Sequence, residues 1–105
     1  MIAKLTSAEF DAQVSTGVSV IDFFAEWCGP CHEMAPTIDA LAAENEAVKF
    51  FKVDVDAEQQ LAVRFGIQSI PTVFVLVDGK LAGQFVGVVA KAKIQDAIRK
   101  AQGIA

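Results

Sequence analysis

The chain has two cysteines, Cys28 and Cys31, standing three positions apart in Trp27-Cys28-Gly29-Pro30-Cys31. A stabilising disulfide works by closing a long loop of the unfolded chain, and this pair closes almost nothing. Reactivity explains the spacing better: one thiolate attacks a disulfide and the other resolves the mixed disulfide. Three other readings fit the spacing alone. One is an inert buried pair. A second is half a zinc site, but the only histidine, His32, adjoins Cys31, so a carboxylate or a partner chain would have to complete four ligands. A third is c-type haem, since Cys28-Gly29-Pro30-Cys31-His32 matches that attachment pattern. Haem needs a second axial ligand, and Met34 is too close to the attachment point while Met1 is terminal.

The elements around the pair bear on its chemistry. Val18 to Ala25 is an apolar, β-branched and aromatic run broken only by Ser19 and Asp22. It reads as a strand buried on both faces. From Cys31 to about Asn45, Met34, Ile38, Leu41 and Ala42 recur at helical spacing, with Pro36 predicted to kink the helix. The pair therefore lies at a strand-to-helix junction, Cys28 near the N-cap and Cys31 in the first turn. Free backbone N–H groups and the helix dipole favour a thiolate at Cys28, which becomes the nucleophile, while Cys31 turns inward as the resolving thiol. Gly29 permits close approach of another backbone, and Pro30 stiffens the turn. Trp27, next to what reads as an exposed thiol at Cys28, reads as part of a surface platform, with ordinary core as the alternative.

Two charged residues stand in apolar surroundings. Asp22, in Val20-Ile21-Asp22-Phe23-Phe24, is expected to be buried with a raised pKa, suiting it to proton transfer. The bland alternative is an exposed strand end or satisfaction by Lys52. Lys52, within Phe50-Phe51-Lys52-Val53, either pairs with Asp22 or snorkels to solvent. Pro71 cannot donate to a sheet, so it should begin a strand or sit at an edge.

The remaining elements follow from period and punctuation. Thr6-Ser7-Ala8-Glu9 reads as a capping box opening a helix over about Ser7 to Ser15. Val48 to Val55 reads as a second buried strand, and Asp56 as the cap of a short helix carrying Leu61 and Phe65 and stopped by Gly66. Thr72 to Val77 and Leu81 to Val86 flank an Asp78-Gly79 hairpin turn, and Ile94, Ala97, Ile98 and Ala101 form the stripe of a last helix. The order β-α-β-α-β-α-β-β-α predicts an α/β fold with a mixed sheet and helices on both faces. There is no repeat or linker, and 105 residues fit one domain over 1–105.

Bulk properties exclude several partners. A formal net charge of −4 argues against nucleic acid and anionic lipid, which need a basic face. No apolar run reaches spanning length, so no membrane is expected. The start, Met1-Ile2-Ala3-Lys4-Leu5-Thr6, lacks the basic and apolar regions of a secretory leader, so a cytoplasmic location is expected. Nothing in the sequence demands a dimer, so the expectation is a monomer.

The motifs together resemble the thioredoxin family. Asp22 to Cys31 (Asp-Phe-Phe-Ala-Glu-Trp-Cys-Gly-Pro-Cys) is the most specific part. Ala35-Pro36, Lys52-Val53-Asp54-Val55-Asp56, Ile70-Pro71-Thr72 and Val86-Gly87 follow at matching places over nearly the whole chain. The resemblance implies a thioredoxin fold: a central mixed five-stranded sheet flanked by four helices. It implies Cys28 as attacking thiol, Cys31 as resolving thiol, and Asp22 exchanging protons with Cys31. Pro71 would be cis, facing the disulfide. Trp27, Gly29, Pro30, Val55, Ile70, Pro71, Val86 and Gly87 would receive disulfide-containing protein substrates. No cofactor beyond the disulfide is implied, and thioredoxin reductase would recharge the pair. Departures are Phe24, where the family often has a second Trp; His32, replacing a basic residue; Ser69, replacing a small residue; and Ala90, a weak helix cap. Competing functions are an oxidant or isomerase outside the cytosol, and a non-catalytic thioredoxin-fold binding subunit.

Overall fold

The computed structural model describes residues 2–103; Met1, weighed above as a haem ligand, lies outside the described residues. The elements are β1 (Ala3–Lys4), α1 (Phe10–Val14), β2 (Val18–Phe24), α2 (Gly29–Glu44), β3 (Lys49–Asp54), α3 (Gln59–Arg64), β4 (Thr72–Val77), β5 (Lys80–Val86) and α4 (Lys91–Ala101). The five strands lie in the order β1-β3-β2-β4-β5. β3 runs parallel to β1 and β2, because the crossover through α2 returns the chain in the same direction. β4 is antiparallel to β2 and β5. Asp78 and Gly79 both take positive φ, +50° and +81°, which turns β4 directly back into β5.

The central place of β2 explains its composition. With a strand on each edge and helices over both faces, six of its seven residues are buried. Residues alternate between faces. Ile21 and Phe23 point toward α1 and α3, into a core with Phe10, Val14, Leu61, Phe74 and Leu76. Phe10, Phe23, Phe65 and Phe74 meet there with ring centroids 5.0–6.1 Å apart. Val20 points the other way, into an aliphatic core with Met34, Ile38 and Leu41 of α2 and Ile94 and Ile98 of α4. Asp22 shares that second face. α2 runs unbroken through Pro36.

Three local expectations need correction. α1 is only five residues long. The Glu9 carboxylate does reach back to the Thr6 N–H and hydroxyl (3.3 and 2.8 Å), but it closes a turn ahead of the helix. The Ser7 N–H is taken instead by Glu58 Oε1 at 2.7 Å, which ties the entries of α1 and α3 together. β3 is half-buried, with only Val53 fully enclosed, because its outer neighbour β1 is a two-residue strand. Asp56 does not cap α3; Glu58 holds that position without a side-chain bond, while Asp54 Oδ1 accepts the N–H groups of Asp56 and Ala57. Ala90 precedes α4 with no side-chain cap, as its side chain dictates.

Candidate functional site

The end of β2 delivers the chain to the N-terminus of α2. Cys28 is the N-cap residue, with extended backbone (φ −87°, ψ 110°), and its Sγ accepts the Cys31 N–H at 3.2 Å. The sulfur thus occupies the place where a serine or aspartate oxygen would normally satisfy a helix's first free N–H groups. Pro30, in the first turn, has no N–H to leave unpaired. Cys28 and Cys31 are joined as a disulfide, with Cα atoms 5.3 Å apart. On the other side, Cys28 Sγ lies 3.8 Å from the Ile70 carbonyl oxygen, and the Ile70–Pro71 peptide is cis. Pro71 immediately precedes β4, where its missing N–H costs no ladder bond.

The surface around the pair is apolar. Phe24, Ala25, Cys28 and Cys31 form a buried cluster, with Val55 and Ile70 packed against it. The Val55 N–H is held by the Phe24 carbonyl at 2.9 Å, which fixes Val55 beside the sulfurs. The Gly87 N–H donates to the Pro71 carbonyl at 2.8 Å, and Val86 pairs in register with Thr72, so both lie alongside the cis peptide. Gly87 has φ +86°, a conformation that favours glycine. Trp27 is 72% exposed, which settles the platform-or-core alternative in favour of surface. Its indole N–H donates to Asp56 Oδ2 at 2.7 Å, which orients the ring. Val86 and Val88 are exposed as well.

Burial of Cys28 departs from the sequence reading of an exposed thiol, whereas Cys31 turns inward as expected. Cys28 is only 3% exposed and Cys31 5%. Their hydrophobic neighbours and the disulfide link cover both sulfurs. Sequence reasoning also missed the role of Asp56, which depends on a contact 29 residues away in sequence.

Beneath the disulfide lies a polar pocket. A cavity of about 40 Å³ is lined by Asp22, Phe24, Ala25, Glu26, Cys31, His32, Ala35 and Lys52. Asp22 is 2% exposed, and its Oδ1 has no hydrogen-bond partner. Burial pushes the carboxyl up; Lys52 partly offsets this and Asp39 adds to it, giving a pKa of about 6. Lys52 stands opposite Asp22 in the β2–β3 register, yet it makes no ion pair with it. Its ammonium instead sits over the Phe24 ring, 4.4 Å from the centroid. Neither sequence alternative for Lys52 is complete: it faces Asp22 across the cavity without touching it. His32 is exposed, and its Nε2 lies 2.7 Å from the Glu26 carbonyl oxygen.

Among the described residues, no group of three or more His, Cys, Asp or Glu side chains is arranged to hold a metal ion. No helix among them is long and apolar enough to cross a membrane.

Known proteins match this arrangement along the chain. The thioredoxin family model matches residues 1–100. Thioredoxin of Bacillus subtilis (strain 168) is 41% identical over 100 residues, covering 94% of this chain and 96% of its own. Thioredoxin of Staphylococcus aureus (strain Mu50) is 39% identical over the same shares. The X-ray structure of Fasciola hepatica thioredoxin superposes with a TM-score of 0.85 at 35% identity, covering 96% of this chain and 99% of that one.

Proposed function

The chain belongs to the thioredoxin family and is a thiol–disulfide oxidoreductase, and from that premise we propose that it reduces disulfides of partner proteins in the cytoplasm and is recharged by thioredoxin reductase. The observation that carries this reading is the sulfur geometry: Cys28 Sγ at the α2 N-cap with the Cys31 N–H aimed at it. The family's redox group is the cysteine pair itself, so no further cofactor is required. In the dithiol form, that N–H and the helix N-terminus favour a thiolate on Cys28.

The Cys28 thiolate attacks one sulfur of a substrate disulfide. The distal sulfur leaves with the bonding electron pair and takes a proton from water, and a mixed disulfide forms. The Cys31 thiol then gives its proton to the Asp22 carboxylate across the shared cavity. Its sulfur attacks Cys28 Sγ and expels the second substrate thiolate. Two electrons have passed to the substrate, and the pair is again a disulfide. A carboxyl with a pKa of about 6 is mostly ionised at pH 7, ready to accept that proton, and basic enough to be a useful acceptor. Trp27, Gly29, Pro30, Val55, Ile70, Pro71, Val86 and Gly87 receive the substrate backbone and side chains. Lys52 acts at a distance, as a charge facing Asp22.

Reduction of a protein disulfide, coupled to a pyridine-nucleotide-dependent thioredoxin reductase, tests the reading. Cys28→Ser is expected to bring turnover to background. Cys31→Ser is expected to trap a mixed disulfide, seen as a mass increase equal to the substrate. Full biological activity in the double serine variant would instead assign the chain a binding role.

A further inference from the structure

Each turnover leaves a proton on Asp22, and that proton must leave a buried site. Asp22 is almost fully enclosed, its Oδ1 is unpartnered, and the cavity it faces has room for a water molecule. The charged and titratable groups around that cavity are Asp22 from β2, Glu26 from the loop after it, Cys31 and His32 from α2, and Lys52 from β3. Asp39 of α2 also acts on Asp22 through its charge. Lys52, as an ammonium, has no lone pair to take a proton. The Glu26 carboxylate is engaged outward, 3.3 Å from the Lys4 ammonium. Glu26 and His32 both line the cavity and stand in solvent, and of the two only His32 is free of an ion pair among the described residues.

Its hydrogen bond fixes its tautomer. A backbone carbonyl can only accept, so the nitrogen 2.7 Å from the Glu26 oxygen, Nε2, carries a hydrogen. In the neutral ring the other nitrogen, Nδ1, is then the base. The His32 N–H donates to the Cys28 carbonyl at 3.3 Å, so the residue is held at both backbone and ring. Imidazole is also the side chain suited to taking and releasing protons near neutral pH.

We propose that His32 is the outer station of the proton route serving Cys31, its ring anchored through Nε2 to the Glu26 carbonyl and its Nδ1 passing to solvent the protons that Asp22 releases into the shared cavity. The proposal rests on the proton-acceptor role given to Asp22 above. The balance is simple. The Cys31 proton moves to the Asp22 carboxylate, from there through cavity water to His32 Nδ1, and from the imidazolium to bulk water or buffer. The carboxylate and the neutral ring are restored, and no oxidant or reductant beyond the cysteine pair and substrate takes part. His32 touches neither substrate nor the reacting sulfur bond, so it is a positioning and relay residue.

The test follows repeated turnover with the coupled reductase in dilute buffer at pH 7.5, for wild type, His32→Gln, His32→Ala and Asp22→Asn. Glutamine keeps an N–H for the Glu26 carbonyl but cannot carry the proton. Both His32 variants are expected to slow by roughly ten- to a hundredfold, up to the lower end of positioned acid–base catalysis. Added free imidazole is expected to restore them, acting from the surface. Asp22→Asn is expected to slow without rescue, because imidazole is too large for its cavity. A wild-type rate in His32→Gln, with or without slowing in His32→Ala, would overturn the relay and leave only an anchor. Slowing in both His32 variants that imidazole does not relieve would overturn it too. A wild-type rate in Asp22→Asn would instead overturn the Asp22 assignment on which the relay stands.

Discussion

The two faces of the sheet at β2 do different work with the same strand. Toward α1 and α3, Ile21 and Phe23 enter a core of four phenylalanine rings. Toward α2 and α4, Val20 is followed by Asp22, and the aliphatic core gives way to the cavity under the disulfide. Among the described residues, each face of β2 holds one buried side-chain oxygen without a partner: Ser19 Oγ on the aromatic side and Asp22 Oδ1 on the other. The difference between them lies in what surrounds the oxygen. Asp22 is joined by a cavity to the Cys31 sulfur, the Lys52 ammonium and the His32 imidazole, whereas Ser19, opposite Lys49 in the strand register, carries a hydroxyl that does not titrate. An orphaned polar atom becomes chemistry only when it is ionisable and has somewhere to send a proton.

The largest expected effect breaks the comparison from the aromatic side. Phe23→Ala removes a fully buried ring that contacts two others and leaves a cavity, which costs about 3–5 kcal/mol in a urea titration. The ring packs on the face of the sheet opposite Asp22, away from the sulfurs. The reductase-coupled turnover of the molecules that remain folded should therefore match wild type. A turnover deficit larger than the unfolded fraction would mean that the two faces are mechanically coupled.

Asp22→Asn is the counterpart on the other face, and its effect depends on pH. The Asp22 pKa is about 6 when folded against 3.8 as its reference value. Between those values the folded chain holds a proton that the unfolded chain has released. Stability from this group is therefore fully present below about pH 4 and is lost as pH rises through 6. At pH 8 the wild type carries the whole cost of a buried carboxylate, about 3 kcal/mol. Asparagine resembles the neutral acid, so the variant should be more stable than wild type by up to that amount at pH 8 and by little at pH 3.5. Thermal melts at the two pH values check this, and a difference that does not change with pH would show that burial is not what raises the Asp22 pKa.

How much of this contrast was legible in the sequence varies by residue. The strand-to-helix junction, the N-cap position of Cys28 and the hairpin at Asp78-Gly79 were all readable, because each depends on neighbours within a few positions. Asp22 stood out as a carboxylate inside an apolar strand. The cis geometry of Pro71 entered only through family resemblance. The rest depends on residues distant in sequence. Glu58 takes the Ser7 N–H at the entry to α1, and Trp27 is aimed by Asp56. Lys52 looked like a partner for Asp22, but Phe24 draws its ammonium onto an aromatic face. Burial of Cys28 escaped notice because Val55 and Ile70, which cover it, come from two other segments of the chain.

Ser19→Ala sharpens the comparison with the smallest effect. The Ser19 hydroxyl is fully buried and unpartnered, so the folded state carries its desolvation cost with no hydrogen bond in return. Alanine removes the oxygen and leaves a void smaller than a methyl group. The variant should be stabilised by about 1 kcal/mol, and because a serine hydroxyl does not titrate, the gain should be the same at pH 3.5 and pH 8. Turnover should be unchanged at both. Set beside Asp22→Asn, which should exchange rate for stability as pH rises, a flat profile would show that the second face was given over to proton chemistry by the identity of one side chain. Destabilisation by Ser19→Ala would instead reveal a hydrogen bond, through water, that the hydroxyl makes in solution, and the two oxygens would no longer be comparable.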